Sequence, residues 1–330
     1  MQQGLAEITA SGYLSGVATL HLESQDDATA IPTAVTIFNQ YSQKHYPITI
    51  SSAYTPIAAA IAPLANDTKT LFISVGSGGT GTDDPDYFFR MNDAVGPTKT
   101  LAKYLVVQKK AQRIGAIIDG DNAAFPTIGK NVVAGLKDAG VNDFAVSLKI
   151  STKDTDFTSI LTNLRQAKVD AVVILATPGQ AGNILRQMKQ FGGFESVAKA
   201  GHIGWGKQVA DIGGDATTGA IFPLAWVLGT PGSDKFTADY KTKFKDDPTA
   251  YSALGHDTAW LLAVAVKKVR AANKKVDGTA LKDVLPDAAS SKDFLAHALV
   301  AGFTLPASGA SSYPGVLATF AADGSVVAVK

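Results

Sequence analysis

A chain of 330 residues, 46% of them hydrophobic, is long enough for about two domains with substantial cores. Its 30 basic and 29 acidic residues give no electrostatic case for nucleic acid or an anionic membrane surface as partner. The absence of cysteine removes disulfides, thiolate catalysis and cysteine-ligated metals; it fits an oxidising compartment and is equally compatible with cytoplasm.

Met1 to Thr9 already has helical character, and no basic region with an apolar stretch precedes Gln2, so an export signal is expected to have been removed from this numbering. Val17 to Leu22 alternates like a strand. Ala30 to Lys44 predicts a helix with Pro32 near its start, and Pro47 to Ser51 the next strand. In Ser51 to Ala65 a further helix follows, with Pro56 where a first turn tolerates it. Thr70 to Val75 predicts a strand that ends in Gly76-Ser77-Gly78-Gly79-Thr80-Gly81, and the acid-rich stretch from Asp83 to Asp93 leads to a helix opened by Pro97 and Thr98.

From Arg113 the alternation is regular: strands at 113–118, 144–150, 170–176 and 201–204, with helices at 127–139, 156–166 and 180–191 between them. Phe157, Ile160, Leu161 and Leu164 form one helical stripe, and Asp154 to Asp156 supply capping groups. Ala171 to Leu175 is continuously apolar, as in a strand covered on both faces. This pattern predicts a doubly wound parallel sheet, whose ligands bind at the carboxyl ends of the strands. Asp121, Asn122 and Phe125, in the loop after strand 113–118, are therefore placed in a cleft. An apolar run from Ala220 to Val227, helices near 234–245 and 257–271, and strand character from Tyr313 to Phe320 complete a second α/β unit, with the chain passing between the units more than once. No run approaches the ~18 apolar residues of a membrane span; Ala259 to Val266 stops at Lys267 and reads as a core helix.

The glycine run after Val75 satisfies G-x-G-x-x-G, but Asp83-Asp84-Pro85 follows where a dinucleotide site needs a helix, so a plain glycine-rich connection with backbone donors is the better reading. Asp119 and Asp121 fit turn and cap duty better than a metal site. The five histidines show no zinc spacing, and no G-x-S-x-G elbow exists, so neither catalytic nor metal-ligating residues are assigned and no cofactor is expected. Trp205 reads either as packing or as an aromatic wall for a ligand.

Taken together, Ser51-Ser52-Ala53-Tyr54-Thr55, the segments LFISVGSG, YFFRMND, GPTKTLAKYL, RIGAIIDGDNAAF, DTDFTSILTNLRQAKVDAVVI and NILRQMKQFG, and finally ALGHDTAWLLAVAV resemble, in order and spacing, the type I periplasmic solute-binding proteins of ABC transporters, in particular the leucine/isoleucine/valine-binding group. The resemblance implies two lobes, each a doubly wound, mostly parallel sheet flanked by helices, joined by three crossovers, with a ligand cleft between them. Residues 1–94 plus 225–312 would form one lobe, and 95–224 plus 313–330 the other. It implies a ligand site at Ser52, Tyr54, Gly76, Ser77, Asn122, Phe125, Thr177 and Trp205, where Phe125 replaces the family's tyrosine. The partners implied are a small-molecule carboxylate and a membrane permease, with the protein a periplasmic monomer. A ligand-sensing domain read by a signalling partner is the alternative role.

Two departures stand out. Family members begin with a strand before the first helix, so this numbering is expected to omit a segment; otherwise lobe one lacks a central strand. Amino-acid binders also place an acid where Gly204-Trp205-Gly206 stands. An unpaired buried ammonium costs several kcal/mol against the ~8 kcal/mol of a micromolar complex. The expected ligand is a carboxylate without an α-amino group, an aromatic acid being one candidate; the alternative is a branched-chain or other amino acid whose ammonium pairs with Asp121 or Asp257.

Overall fold

A computed structural model describes residues 1–51, 55–77, 86–122 and 124–329. The chain divides into two compact units, Met1–Asp93 with Gly232–Tyr313, and Ala94–Pro231 with Pro314–Lys330.

In the first unit, strands β1 (Ile48–Ser51), β2 (Leu71–Ser74) and β3 (Phe88–Arg90) form a parallel sheet in that order. Helices α1 (Gln2–Ser11), α2 (Ile31–Gln43) and α3 (Thr55–Thr68) precede or separate the first strands. The apolar faces of α2 and α3 meet the sheet in a core built on Phe38, Ile57, Ile61, Phe72 and Phe88, while α1 packs against α10 (Ala250–Ala271). β3 falls inside the acid-rich stretch that sequence patterning leaves as a connection; Phe88 and Phe89 are both buried, so burial on two faces replaces the alternation that would mark a half-exposed strand. Val17 to Leu22, a strand by its alternation, forms no ladder among the described residues; Val17 and Ala18 instead close a turn on the Leu14 carbonyl.

Gly309 closes this unit against β3. Its backbone sits at φ +76°, and a β-carbon there would lie 2.2 Å from the Phe88 carbonyl oxygen. Only glycine lets its own carbonyl accept the Arg90 N–H at 2.9 Å.

The long helix α10 (Ala250–Ala271) runs through the interior of the first unit and begins seven residues before the predicted start, at a capping box between Thr249 and Ser252. It contains the predicted core run Ala259–Val266, and among the described residues no helix is long and apolar enough to cross a membrane. Asp257, fully buried on α10, accepts hydrogen bonds from the backbone of Leu299 and Val300 and from His256 Nδ1. His256 Nε2 reaches Glu7 on α1 at 2.8 Å. Flanking helices are α9 (Asp234–Phe244), α11 (Gly278–Ala289) and the short α12 (Lys292–Leu295).

The second unit holds a seven-stranded sheet. β4 (Ile114–Asp119), β5 (Val146–Ile150), β6 (Ala171–Leu175), β7 (Ala198–Ala200) and β8 (Ile221–Leu224) are parallel; β9 (Val316–Phe320) and β10 (Val326–Ala328) run antiparallel at one edge. The order is β10-β9-β8-β7-β6-β4-β5. Helices α4 (Gly96–Val107), α5 (Ala124–Asp138), α6 (Thr158–Gln166), α7 (Pro178–Phe191) and α8 (Lys207–Gly213) alternate with the strands. β6 is buried at every position, as its unbroken apolar run predicts. The last predicted parallel strand, at 201–204, lies three residues earlier, because residues 201–204 turn to place the His202 ring.

The His256 contacts set a pH dependence. Burial works against protonation of His256, but its hydrogen bonds to Asp257 and Glu7 outweigh it and raise the imidazole above its ordinary 6.5. Burial alone would raise Glu7, but the bonds from His256 and neighbouring donors hold it below 4.5. The stability contributed by His256 is therefore complete below pH 6.5 and is lost as pH rises through its raised value, whereas that of Glu7 is complete above 4.5 and is lost on acidification. Urea unfolding of the native chain and of His256→Gln should differ most between these limits, and the gap should narrow on both sides. A pH-independent difference would contradict the ion pair.

Candidate functional site

The order β5-β4-β6 makes β4 and β6 the place where successive connections diverge to opposite sides of the sheet. Loops after these two strands are splayed apart, which is where doubly wound sheets hold ligands. The loop after β4 carries Asp119, Asp121, Asn122 and Phe125. Asp119 is fully buried and accepts from the Asp121 N–H and the Thr152 hydroxyl. Asp121 accepts from the Ser151 hydroxyl at 2.6 Å and the Thr152 N–H at 3.1 Å, and these bonds hold its carboxyl below the usual range. Both acids thus fasten the loop after β4 to the loop after β5. Asn122 Oδ1 accepts from the Ala124 N–H at the first turn of α5. These are the turn and cap duties expected of the cluster.

Phe125 is only 5% exposed and meets the His202 ring edge to face, centroids 5.0 Å apart. His202 had drawn no attention beyond the lack of a metal spacing. It joins three loops: Nε2 donates to the Ala176 carbonyl after β6 at 2.9 Å, Nδ1 accepts the Gly204 N–H at 3.0 Å, and the ring faces Phe125. Since Nδ1 is an acceptor, the ring is the neutral Nε2–H tautomer. Burial pulls its pKa down from 6.5 to about 4. Next to Ala176, Thr177 caps α7 by accepting the Gln180 N–H, and the Gln180 side chain donates to the Ser151 carbonyl. Phe125, Thr177, His202 and the Asp119/Asp121 loop are therefore brought together at one sheet edge.

Trp205 lies in the loop after β7. At 2% exposure it packs on Phe222 and Phe320, ring centroids 5.8 and 6.4 Å away, and lies directly over Gly201, where a β-carbon would come within 2.1 Å of the indole. The glycine opens space beside the sheet, and the ring fills it.

In the first unit, Gly76 and Ser77 follow β2. Both are buried, and Asn92 Nδ2 donates to the Gly76 carbonyl at 3.0 Å. The Ser77 N–H goes to Ser74 Oγ, and its hydroxyl lies 3.2 Å from that of Thr55 at the start of α3. Asn92 is itself oriented by the Tyr313 hydroxyl at 2.9 Å. Ser52 and Tyr54 lie outside the described residues. Asn92, Tyr313 and Thr55 escape sequence reasoning because an asparagine, a tyrosine and a threonine at scattered positions carry no spacing signal. Among the described residues no group of three acids or histidines could hold a metal ion.

The buried His202 has a measurable consequence. Below pH 6.5 the unfolded chain takes up a proton that the folded ring refuses until about pH 4, so the second unit should lose roughly 3 kcal/mol of stability across that window. Nitrogen-15 NMR should show the Nε2–H tautomer unchanged from pH 8 to 5; titration near 6.5 would contradict the buried neutral ring.

Residues 1–304 match the family model described as periplasmic binding protein. The leucine-specific-binding protein of Salmonella typhimurium is 24% identical over 297 residues, which cover 87% of this chain and 76% of that relative. An ABC transporter substrate-binding protein from Sphaerobacter thermophilus superposes with a TM-score of 0.82 at 19% identity, over 100% of this chain and 91% of that one. A solute-binding protein of an ABC transporter from R. palustris, in complex with benzoate, gives 0.72 at 17% identity over 99% and 89% of the two chains. Carried by that match over most of its length, and by an alternation of strands and helices in each of two units, the chain belongs to the periplasmic binding protein family, with the two-lobed type I fold of its leucine-binding members.

Proposed function

We propose that this protein is the extracytoplasmic solute-binding component of an ABC importer, closing by a hinge on a small carboxylate that lacks an α-amino group and handing it to a membrane permease as a monomer. The observation that carries the ligand class is the commitment of both candidate ammonium partners. Asp257 lies wholly in the core with three donors of its own, and Asp121 is tied to Ser151 and Thr152. An ammonium buried without a carboxylate would lose more than a micromolar complex provides. The neutral His202 behind Phe125 supports an apolar ligand body on the second unit, because the ring backs Phe125 without a charge of its own. A carboxylate needs donors instead: Thr55 and Ser77, whose hydroxyls lie 3.2 Å apart, are proposed to supply them together with Ser52. The name of the benzoate-bound relative agrees with an aromatic acid.

The leucine-specific relative favours a second reading, a branched-chain amino acid. Fluorescence titration separates the two. Benzoate or cinnamate should bind with a micromolar Kd while leucine gives no response at millimolar concentration, and Ser77→Ala should weaken the acid about tenfold, ~1.4 kcal/mol. Tight leucine binding with no response to the acids would overturn the proposal.

A further inference from the structure

In the second unit the loops after β4, β6 and β7 meet at one side chain. His202, two residues beyond the end of β7 and 6% exposed, has its backbone fixed on both sides. The Gly201 N–H donates to the Ile221 carbonyl of β8, and the His202 carbonyl accepts the Trp205 N–H at 3.0 Å. The indole of Trp205, packed over Gly201, closes that turn. From this anchored position the imidazole makes three contacts with other parts of the edge. Nε2 donates to the carbonyl of Ala176, the residue before the α7 cap Thr177; Nδ1 accepts the Gly204 N–H; and the ring meets Phe125 edge to face. Gly204 is required for the second contact, because a β-carbon there would lie 2.7 Å from the ring Cε1 and 3.1 Å from Nδ1. Any other residue at 204 pushes the ring off its bonds.

We infer that His202 is the positioning residue of the ligand site on the second unit: it holds Phe125 and Thr177 in the single arrangement that fits the ligand without touching the ligand itself. This rests on the functional reading above, which puts Phe125 and Thr177 at the ligand. Both ring nitrogens are committed to backbone groups, so His202 has no polar atom to offer a ligand. What it offers is order. A buried ring tied by two hydrogen bonds has one orientation, and leaving either bond unmade strands a polar group away from water. Phe125, packed on that ring, inherits its orientation, and Thr177 inherits the position of the Ala176 carbonyl. Without the ring, a ligand binds only the fraction of chains in which Phe125 and Thr177 happen to be arranged correctly, and its apparent affinity falls by that fraction.

The test is a double-mutant cycle on the full chain, with benzoate as probe and fluorescence titration as readout. His202→Leu, which removes both bonds, is expected to weaken benzoate about tenfold or more, and Gly204→Ala, which displaces the ring, likewise. His202→Gln, which keeps a neutral donor and acceptor, is expected to stay within roughly threefold of the native chain. Because His202 acts through Phe125, Phe125→Leu should cost about tenfold in the native chain and less than roughly threefold in the His202→Leu chain. Where His202→Leu does not fold, Gly204→Ala takes its place in the cycle. In the native chain the nitrogen-15 signals of the His202 ring and the Gly204 amide should also shift on saturation with benzoate. Additive losses, or ring and amide signals that ignore bound benzoate, would overturn the inference and leave the ligand reading in place. A native chain that does not bind benzoate would overturn both.

Discussion

The Tyr313 hydroxyl is the contact on which the loop after β2 in the first unit depends. It accepts the Asp93 N–H and donates to Asn92 Oδ1, both at 2.9 Å, and Asn92 in turn donates to the Gly76 carbonyl. Burial, first among the causes, raises the phenol far above its ordinary value, so the donor stays protonated at any physiological pH. The chain leaves the first unit at Asp93 and again at Tyr313. One hydroxyl therefore fastens two of the crossing segments to each other and to the Gly76–Ser77 loop.

In the second unit the same economy of parts recurs with an imidazole. His202 has no motif, yet it joins the loops after β6 and β7 and supports Phe125 from the loop after β4. Its neutrality matters chemically. A protonated ring there would favour an anion at that edge, whereas a neutral ring backing a phenyl leaves an apolar surface. The acids nearby cannot reverse this, because each is held by hydroxyl and backbone donors of its own unit.

Most of the fold was legible because its signals are local. The strand, loop and helix from Arg113 to Gly140 appear as β4 and α5, and the buried β6 follows its apolar run. The misses have physical causes. Val17 to Leu22 has the alternation of a strand, but pairing needs a neighbour, which alternation cannot report. The strand expected at 201–204 lies at Ala198–Ala200, and the chain then turns, the Trp205 N–H bonding the His202 carbonyl. β3 was hidden by the acids around two buried phenylalanines. Of the candidate residues, Phe125, Thr177, Gly76, Ser77 and Trp205 could be placed after strands from the sequence, whereas the packing of Trp205 over Gly201 depends on a tertiary contact that no edge rule reports. Tyr313 and Asn92 come from opposite ends of the chain, and no one-dimensional pattern connects them.

The central claim is that this protein holds an intact organic acid and makes or breaks no bond in it. Mass spectrometry of the small molecules released when the natively purified chain is denatured tests that most directly. The account expects one unmodified carboxylate without an α-amino group per chain; recovery of an amino acid, or of a chemically converted product after incubation with a candidate acid, would contradict it.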